Sequence, residues 1–351
     1  MIVVMTPEST EAQLNHVVQL VTEMGLTTHI IRGTDRTVVA AVGDKRNTDK
    51  TAIENCGGVE KIVPILAPFK VASKEVKQEK TIVELTPGGA TVGGKELAII
   101  GGPCAVESRQ QIIDVAHAIK ASGAVGLRGG AFKPRTSPYS FQGLAEKGLE
   151  YLAEAGQATG LAVFTEVLTM EHCKMVGNYA DVLQIGARNM QNFMLLNAAG
   201  QQSKPVLLKR GMSATMEEFL LAAEYIINAG NPNVILCERG VRTFEQYCRN
   251  SLNLSIIPAI QRVSHLPIIA DPSHGTGHAY MVEPASKAAI AAGADGLIIE
   301  VHPDPERACS DAGQQLTPAA FDELMQKVKR VANAVDRQLE AGHKQAEPAP
   351  N

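Results

Sequence analysis

From Leu97 onward the chain alternates short apolar runs with stretches of helical length, and nearly every run ends on a charged or ligand-type residue. The runs are LAIIGG, AVGLRGG, LAVFTEV, DVLQIGAR, PVLLKRG, NVILCERG, PIIADPSHG and GLIIEVHP. Eight alternations in about 245 residues predict an α/β fold, a (β/α)8 TIM barrel, in which the strands' C-terminal ends converge on one face. A doubly wound sheet is the competitor. It is disfavoured because no G-x-G-x-x-G opens a helix after the first strand, and because the polar ends are not confined to one switch point.

Ahead of the barrel, residues 1–68 read as strand, helix, strand, strand, helix, strand. The first helix lines up Leu14, Val17, Val18, Val21 and Met24, with Gly25 placed to end it. Gly33-Thr34-Asp35-Arg36 lies between two β-branched runs as a hairpin turn. The βαββαβ order predicts a small ferredoxin-like domain. Cys56 and His16 read there as packed or surface residues, so the domain is expected to regulate rather than catalyse, by fold analogy. Residues 69–95 are expected to form a linker and short hairpin, 96–340 the catalytic barrel with a last helix from Pro318 to Leu339, and 341–351 a disordered polar tail.

Composition enters as exclusion. Hydrophobic residues make up 45% and charged residues 20%, which argues against a disordered or fibrous chain. A net charge of −4 with dispersed Lys and Arg gives no stripe for a nucleic-acid backbone. No leader pattern and no apolar stretch of roughly 20 residues is present, so a cytoplasmic protein without membrane contact is expected. The 6 cysteines are scattered, which fits reduced thiols and leaves one free to act as a ligand.

The strand ends carry the chemistry. They supply Cys104 after the first strand, Arg128, Lys133 and Arg135 after the second, Glu166 at the third and Arg188 after the fourth. Lys209 and Arg210 follow at the fifth, Glu238 and Arg239 at the sixth, Asp271 and His274 at the seventh, Glu300 and His302 at the eighth, with Asp311 in the last loop. Cys104, His274, Glu300 and Asp311 offer sulfur, nitrogen and oxygen donors, suited to Mn, Fe, Co or Zn rather than Mg or Ca. Their spacing holds no C-x-x-C or H-x-x-H, so taken singly Cys104 reads as a packed thiol and Asp311 as a turn cap. Arg128, Lys133, Arg135, Arg188, Lys209 and Arg239 exceed what Glu166 and Glu238 would neutralise, and two phosphates and a carboxylate would balance them. In LRGGAFKPRTSPYSFQG, Pro134 and Pro138 stiffen a loop presenting Lys133, Arg135 and Thr136.

GGPCAVES, LRGGAFKPRTSPYSFQG, QIGARNMQNF, LLKRGMSAT, CERGVRTFE, DPSHGTG and EVHPDPERACSD together resemble the 3-deoxy-7-phosphoheptulonate synthases, the branch with an N-terminal ferredoxin-like domain, over essentially the whole chain. The resemblance implies condensation of phosphoenolpyruvate with erythrose 4-phosphate at the entry to aromatic amino-acid synthesis. It implies Cys104, His274, Glu300 and Asp311 as ligands of a divalent metal. Arg128, Lys133, Arg188, Lys209 and Arg239, with the backbone of Ala187, would hold phosphoenolpyruvate, and Arg135 and Thr136 the aldose phosphate. Lys133, Cys104 and His274 become the catalytic set, Lys133 as a candidate for proton transfer. The alternative is 3-deoxy-octulosonate 8-phosphate synthase, which uses arabinose 5-phosphate; its relatives typically carry Ala-Asn-Arg-Ser where Lys133-Pro134-Arg135-Thr136-Ser137 stands here. The family further implies a homotetramer, tyrosine or phenylalanine as an allosteric ligand of the first domain, and a chorismate mutase as a possible docking partner, the role left to a barrel kept only for binding.

Overall fold

The computed structural model describes residues 1–33, 36–43, 50–63, 68–133 and 139–339. The chain divides into two compact units, Met1–Lys80 with Arg262–His265, and Thr81–Gln261 with Leu266 onward. The segment read as linker is thus split, residues 69–80 falling in the first unit. Residues 341–351, expected to be a disordered tail, lie outside the described residues.

The first unit contains β1 (Ile2–Met5), α1 (Glu11–Glu23), β2 (Thr27–Arg32), β3 (Thr37–Val42), α2 (Lys50–Glu54) and β4 (Val59–Val63). The strands form an antiparallel sheet in the order β2-β3-β1-β4, the ferredoxin-like arrangement. Thr10 caps α1 in a reciprocal box with Gln13, and Gly25 leaves it at φ 75°. Period-2 side-chain alternation gives the sheet two apolar faces. Val3, Met5, Val39 and Ala41 pack under Leu14, Val17 and Val21 of α1. Ile2, Val4 and Ala40 face the other way, onto Val76.

The second unit opens with a hairpin of β5 (Val83–Glu84) and β6 (Thr91–Val92). The barrel follows as β7 (Glu96–Gly102), α3 (Arg109–Ala121), β8 (Gly126–Arg128), α4 (Glu146–Thr159), β9 (Ala162–Glu166), α5 (Met170–Gly177), β10 (Val182–Ile185) and α6 (Phe193–Gly200). It continues with β11 (Val206–Lys209), α7 (Met216–Asn228), β12 (Val234–Glu238), α8 (Ile256–Val263), β13 (Ile268–Ala270), α9 (Pro272–Thr276), α10 (Ala279–Ala291), β14 (Gly296–Glu300) and α11 (Pro318–Ala334). Strands β7 to β14 are parallel to their neighbours, and β14 pairs back onto β7, closing the cylinder. Among the described residues no helix is long and apolar enough to cross a membrane.

The hairpin closes the N-terminal mouth. Val83, Leu85, Ala90 and Val92 join the barrel interior of Ala98, Ile100, Val125, Ala162, Phe164 and Val182. Gly126 makes room there, since a Cβ on it would lie 2.7 Å from the Phe164 ring. The last helix ends at Ala334, earlier than the expected Leu339. Asp336 turns the chain at φ 57°, and β15 (Gln338–Leu339) pairs with β7. Arg337 holds that turn by donating to the carbonyls of Lys95 and Gly94 at 2.7 and 3.1 Å.

With one end filled by apolar side chains, polar groups collect at the other. Phe164 lies 1% exposed at the centre of the packed end, so Phe164→Ala is expected to cost the barrel about 3–5 kcal/mol, read as a lower urea midpoint in far-ultraviolet circular dichroism.

Candidate active site

Gly102, the last residue of β7, allows the ends of β7 and β8 to close together: at φ 140° a Cβ there would sit 2.0 Å from the carbonyl oxygen of Arg128. That closure brings Cys104 over the end of the neighbouring strand. Its carbonyl accepts from Lys133 Nζ at 3.0 Å, and its backbone N–H donates to Gln315 Oε1 at 3.0 Å.

The four donors expected from the sequence meet here. Cys104 Sγ lies 3.3 Å from Asp311 Oδ2, and Cys104, Glu300 and Asp311 offer ligand atoms all within 4.8 Å of one another. His274 Nε2 lies 3.4 Å from Glu300 Oε1 and 3.9 Å from Asp311 Oδ2. Donors bound at about 2.0–2.3 Å to one divalent ion stand roughly 3–4 Å apart, so the set fits a transition metal. The histidine is oriented for this role. Its Nδ1 lies 2.7 Å from Asp271 Oδ2, and its backbone N–H donates to Oδ1 of the same carboxylate at 2.9 Å. With Nδ1–H donating to the Asp271 carboxylate, the Nε2 lone pair faces the other donors.

Electrostatics agree with the geometry. Burial pushes the Cys104 thiol up to about 12, with Glu300 adding to the effect, so the group stays a thiol even with Lys133 Nζ 3.0 Å from the sulfur; metal coordination deprotonates such groups. Burial also lowers the His274 imidazole, against the pull of Asp271 and Glu300. For Glu300 and Asp311 burial opposes the charge, yet their carboxyls stay below the usual range. His274 and Arg128 outweigh it at Glu300, Arg249 and His274 at Asp311. Asp311 is no turn cap: it takes φ 51° ahead of a short 3-10 turn and makes no capping bond, its side chain facing Cys104 and Arg249 instead.

The cations divide in a way the sequence did not reveal. Arg128 pairs with Glu300, and Lys209 with Asp271, all nearly fully buried. Glu238, expected to neutralise cleft cations, instead takes Arg210 at 3.0 Å on one oxygen and the N–H groups of Gly240 and Asn253 on the other. It is spent on shaping the loop after β12. Glu166 lines the cleft but forms no salt bridge among the described residues, and burial raises its carboxyl despite Lys133 and Lys209 nearby. Lys133, Arg188, Arg239 and Arg242 also line the cleft and have no carboxylate in salt-bridge range among the described residues. Arg239 is only 5% exposed, and burial lowers its guanidinium. Nε of Arg128 is buried with no hydrogen-bond partner among the described residues. Such groups are costly to desolvate unless an anion meets them.

Of the remaining expected residues, Ala187 and Arg188 sit on a 3-10 turn after β10 and line the same cleft. Arg135 and Thr136 lie outside the described residues. His302 stands apart, 3.3 Å from Glu107. The sequence reading missed Arg242 and Arg249, both in the cleft wall. They sit in the long segment between β12 and α8, past the strand-end positions read for this strand; its length was the available signal, because long loops at a barrel's C-terminal face tend to be functional.

The family model described as "DAHP synthetase I family" matches residues 75–337, and one described as "DAHP synthase ferredoxin-like domain" matches residues 1–67. The chain is 51% identical over 335 residues to a phospho-2-dehydro-3-deoxyheptonate aldolase of Thermotoga maritima, covering 95% of this chain and 98% of that protein. A 2-dehydro-3-deoxyphosphooctonate aldolase of Caulobacter vibrioides is 32% identical over 276 residues, covering 71% of this chain and 93% of that one. The crystal structure of the Thermotoga maritima DAHP synthase superposes with a TM-score of 0.77 at 50% identity, over 97% of this chain and 99% of that one. With one family model spanning the barrel and another the domain before it, the chain belongs to the DAHP synthetase I family, an enzyme with a 3-deoxy-7-phosphoheptulonate synthase barrel behind the family's ferredoxin-like domain.

Proposed function

We propose that this enzyme condenses phosphoenolpyruvate with erythrose 4-phosphate and water in a metal-dependent reaction, giving the seven-carbon 3-deoxy-heptulosonate 7-phosphate and inorganic phosphate, and that its first domain feeds back on that reaction. The observation that carries the reading is the presence, in one cleft, of cations without carboxylate partners beside four converging metal donors. Arg188 and Arg239 offer planar forks for a phosphate, and Lys133 and Lys209 point charges at the cleft's inner end. The preference for the four-carbon aldose rests on the Lys133-Pro134-Arg135-Thr136-Ser137 segment and on 51% identity to a heptonate aldolase, against 32% to an octonate aldolase.

Held by Cys104, His274, Glu300 and Asp311, a divalent ion would supply Lewis acidity toward the aldehyde oxygen of the aldose. The chain does the rest. Arg128, Arg188, Lys209 and Arg239 fix phosphoenolpyruvate and offset the repulsion between two anionic substrates, so that its C3 approaches the aldehyde carbon. Lys133 Nζ stands 3.0 Å from Cys104 Sγ, beside the donors and facing the cleft, and is assigned to deliver the proton taken up by the new hydroxyl. Water then adds at C2, and the adduct expels phosphate. Asp271 keeps Lys209 and His274 in place together.

Purified protein with Mn2+ is expected to consume phosphoenolpyruvate and release phosphate with erythrose 4-phosphate. Turnover with arabinose 5-phosphate alone would move the assignment to the octulosonate enzymes, and full activity after exhaustive chelation would remove the metal from the reading. Arg239→Ala should lower kcat/KM for phosphoenolpyruvate by roughly 10- to 150-fold, because a charge-assisted contact worth about 1.5–3 kcal/mol is lost; steady-state kinetics with the aldose saturating check this. Tyrosine or phenylalanine is expected to inhibit the full-length enzyme, and inhibition should disappear when residues 1–68 are removed. Unchanged inhibition of the shortened chain would place the effector elsewhere.

A further inference from the structure

Two adjacent glutamines follow Asp311, and neither belongs to the substrate or donor sets described above. Gln314 and Gln315 are only 3% and 2% exposed, and a buried amide is costly unless both of its ends find partners. Gln314 closes a 3-10 turn, while Gln315 is extended at φ −81° and ψ 140°, so the two side chains serve different partners. Gln314 Nε2 donates to Glu300 Oε2 at 2.7 Å, and its Oε1 accepts from Arg249 Nη1 at 2.8 Å. That same Nη1 lies 3.2 Å from Asp311 Oδ2. One amide therefore links the carboxylates of Glu300 and Asp311 through a guanidinium. Gln315 Oε1 accepts from the N–H of Cys104 at 3.0 Å, and its Nε2 donates to Ser310 O at 2.8 Å. Ser310 Oγ in turn lies 3.1 Å from Cys104 Sγ. The backbone locks the segment alongside β14: Leu316 N–H donates to Glu300 O, and its carbonyl accepts from His302 N–H, both at 2.9 Å.

We propose that Gln314 and Gln315 are positioning residues for the metal donors, Gln314 setting the distance between Glu300 and Asp311 and Gln315 setting the place of Cys104. The inference rests on the metal-site reading above and extends it to residues that touch neither metal nor substrate. An amide suits each position, because a donor must meet one partner and an acceptor the other. An apolar side chain of equal length leaves the Glu300 oxygen and the Cys104 N–H without their partners, and the loop after β7 loses its tie to the segment after β14. Hydrogen-bonding partners of metal ligands typically govern affinity by 10–100-fold.

The test uses the full-length protein, stripped by chelator and titrated with Cu2+ or Co2+, reading sulfur-to-metal charge-transfer absorption and the dissociation constant. Wild type is expected to show the band, and Cys104→Ala to lack it. Gln314→Met should bind the ion 10–100-fold more weakly with the band position kept, and Gln315→Met should weaken binding and also shift the band. Phosphoenolpyruvate affinity by calorimetry without metal should stay unchanged in both, since neither amide bonds Arg128, Arg188, Lys209 or Arg239. Wild-type metal affinity in both variants overturns the inference while leaving the metal site standing. A fall in phosphoenolpyruvate affinity equal to the fall in metal affinity overturns it as well, because it would mean general collapse. Absence of the band in wild type refutes the metal-site reading itself. Gln314→Asn and Gln315→Asn, too short to span both partners, serve as the second pair if a Met variant fails to fold, with the same losses expected.

Discussion

A carboxylate fully buried at the end of a barrel strand loses its hydration, a cost of several kcal/mol that must be met locally. Glu300 is in that position, and the arrangement of the cleft follows from how its charge is compensated. Arg128 takes one oxygen, Gln314 the other, and His274 stands within reach of the first. Asp271 repeats the pattern one strand away, holding Lys209 and His274 together. These two carboxylates order the inner cleft before any ligand arrives, which is the preorganisation that electrostatic catalysis requires.

The distribution of the remaining charge explains why the cleft suits anions. Arg210 is neutralised by Glu238 and turned toward the backbone of Ala214, so it is structural despite directly following Lys209. The single residue step from Lys209, which pairs with Asp271, to Arg210 reverses the side chain's direction, as it does in any extended segment. Arg239, Arg188 and Lys133 keep their charge for the cleft. The carboxylates of Glu238, Asp271, Glu300 and Asp311 are consumed in fixing loops and the donor set, and Glu166, raised by burial, forms no salt bridge among the described residues, leaving positive charge in the cleft.

Legibility in the sequence was uneven for physical reasons. Cys104, His274, Glu300 and Asp311 stand at strand ends or in tight turns, where barrel topology alone predicts convergence, and the structure brings their side chains together. Glu238 had the same signal and a different fate, because pairing with Arg210 depends on which side of β12 its side chain occupies. Arg242 and Arg249 sit in a segment with no periodicity to read, so their reach into the cleft is visible only when the loop is folded. Gln314 and Gln315 gave no chemical signal at all, since an amide is unremarkable until its two ends are seen to meet two charged loops.

What the sequence by itself determined was the order of elements, the two-domain plan and the chemical types gathered on one rim, because hydrophobic period and turn residues are local properties. Even there the last helix was drawn too long, as the turn at Asp336 depends on Arg337 reaching the carbonyls of Lys95 and Gly94, far away in sequence. Only the tertiary structure decided which carboxylate neutralises which cation, which guanidinium is left for the cleft, and which neighbours hold the donors a few ångströms apart. Those outcomes depend on distances between strands that are remote in sequence, and Coulomb and hydrogen-bond energies fall too steeply with distance to be assigned from spacing along the chain.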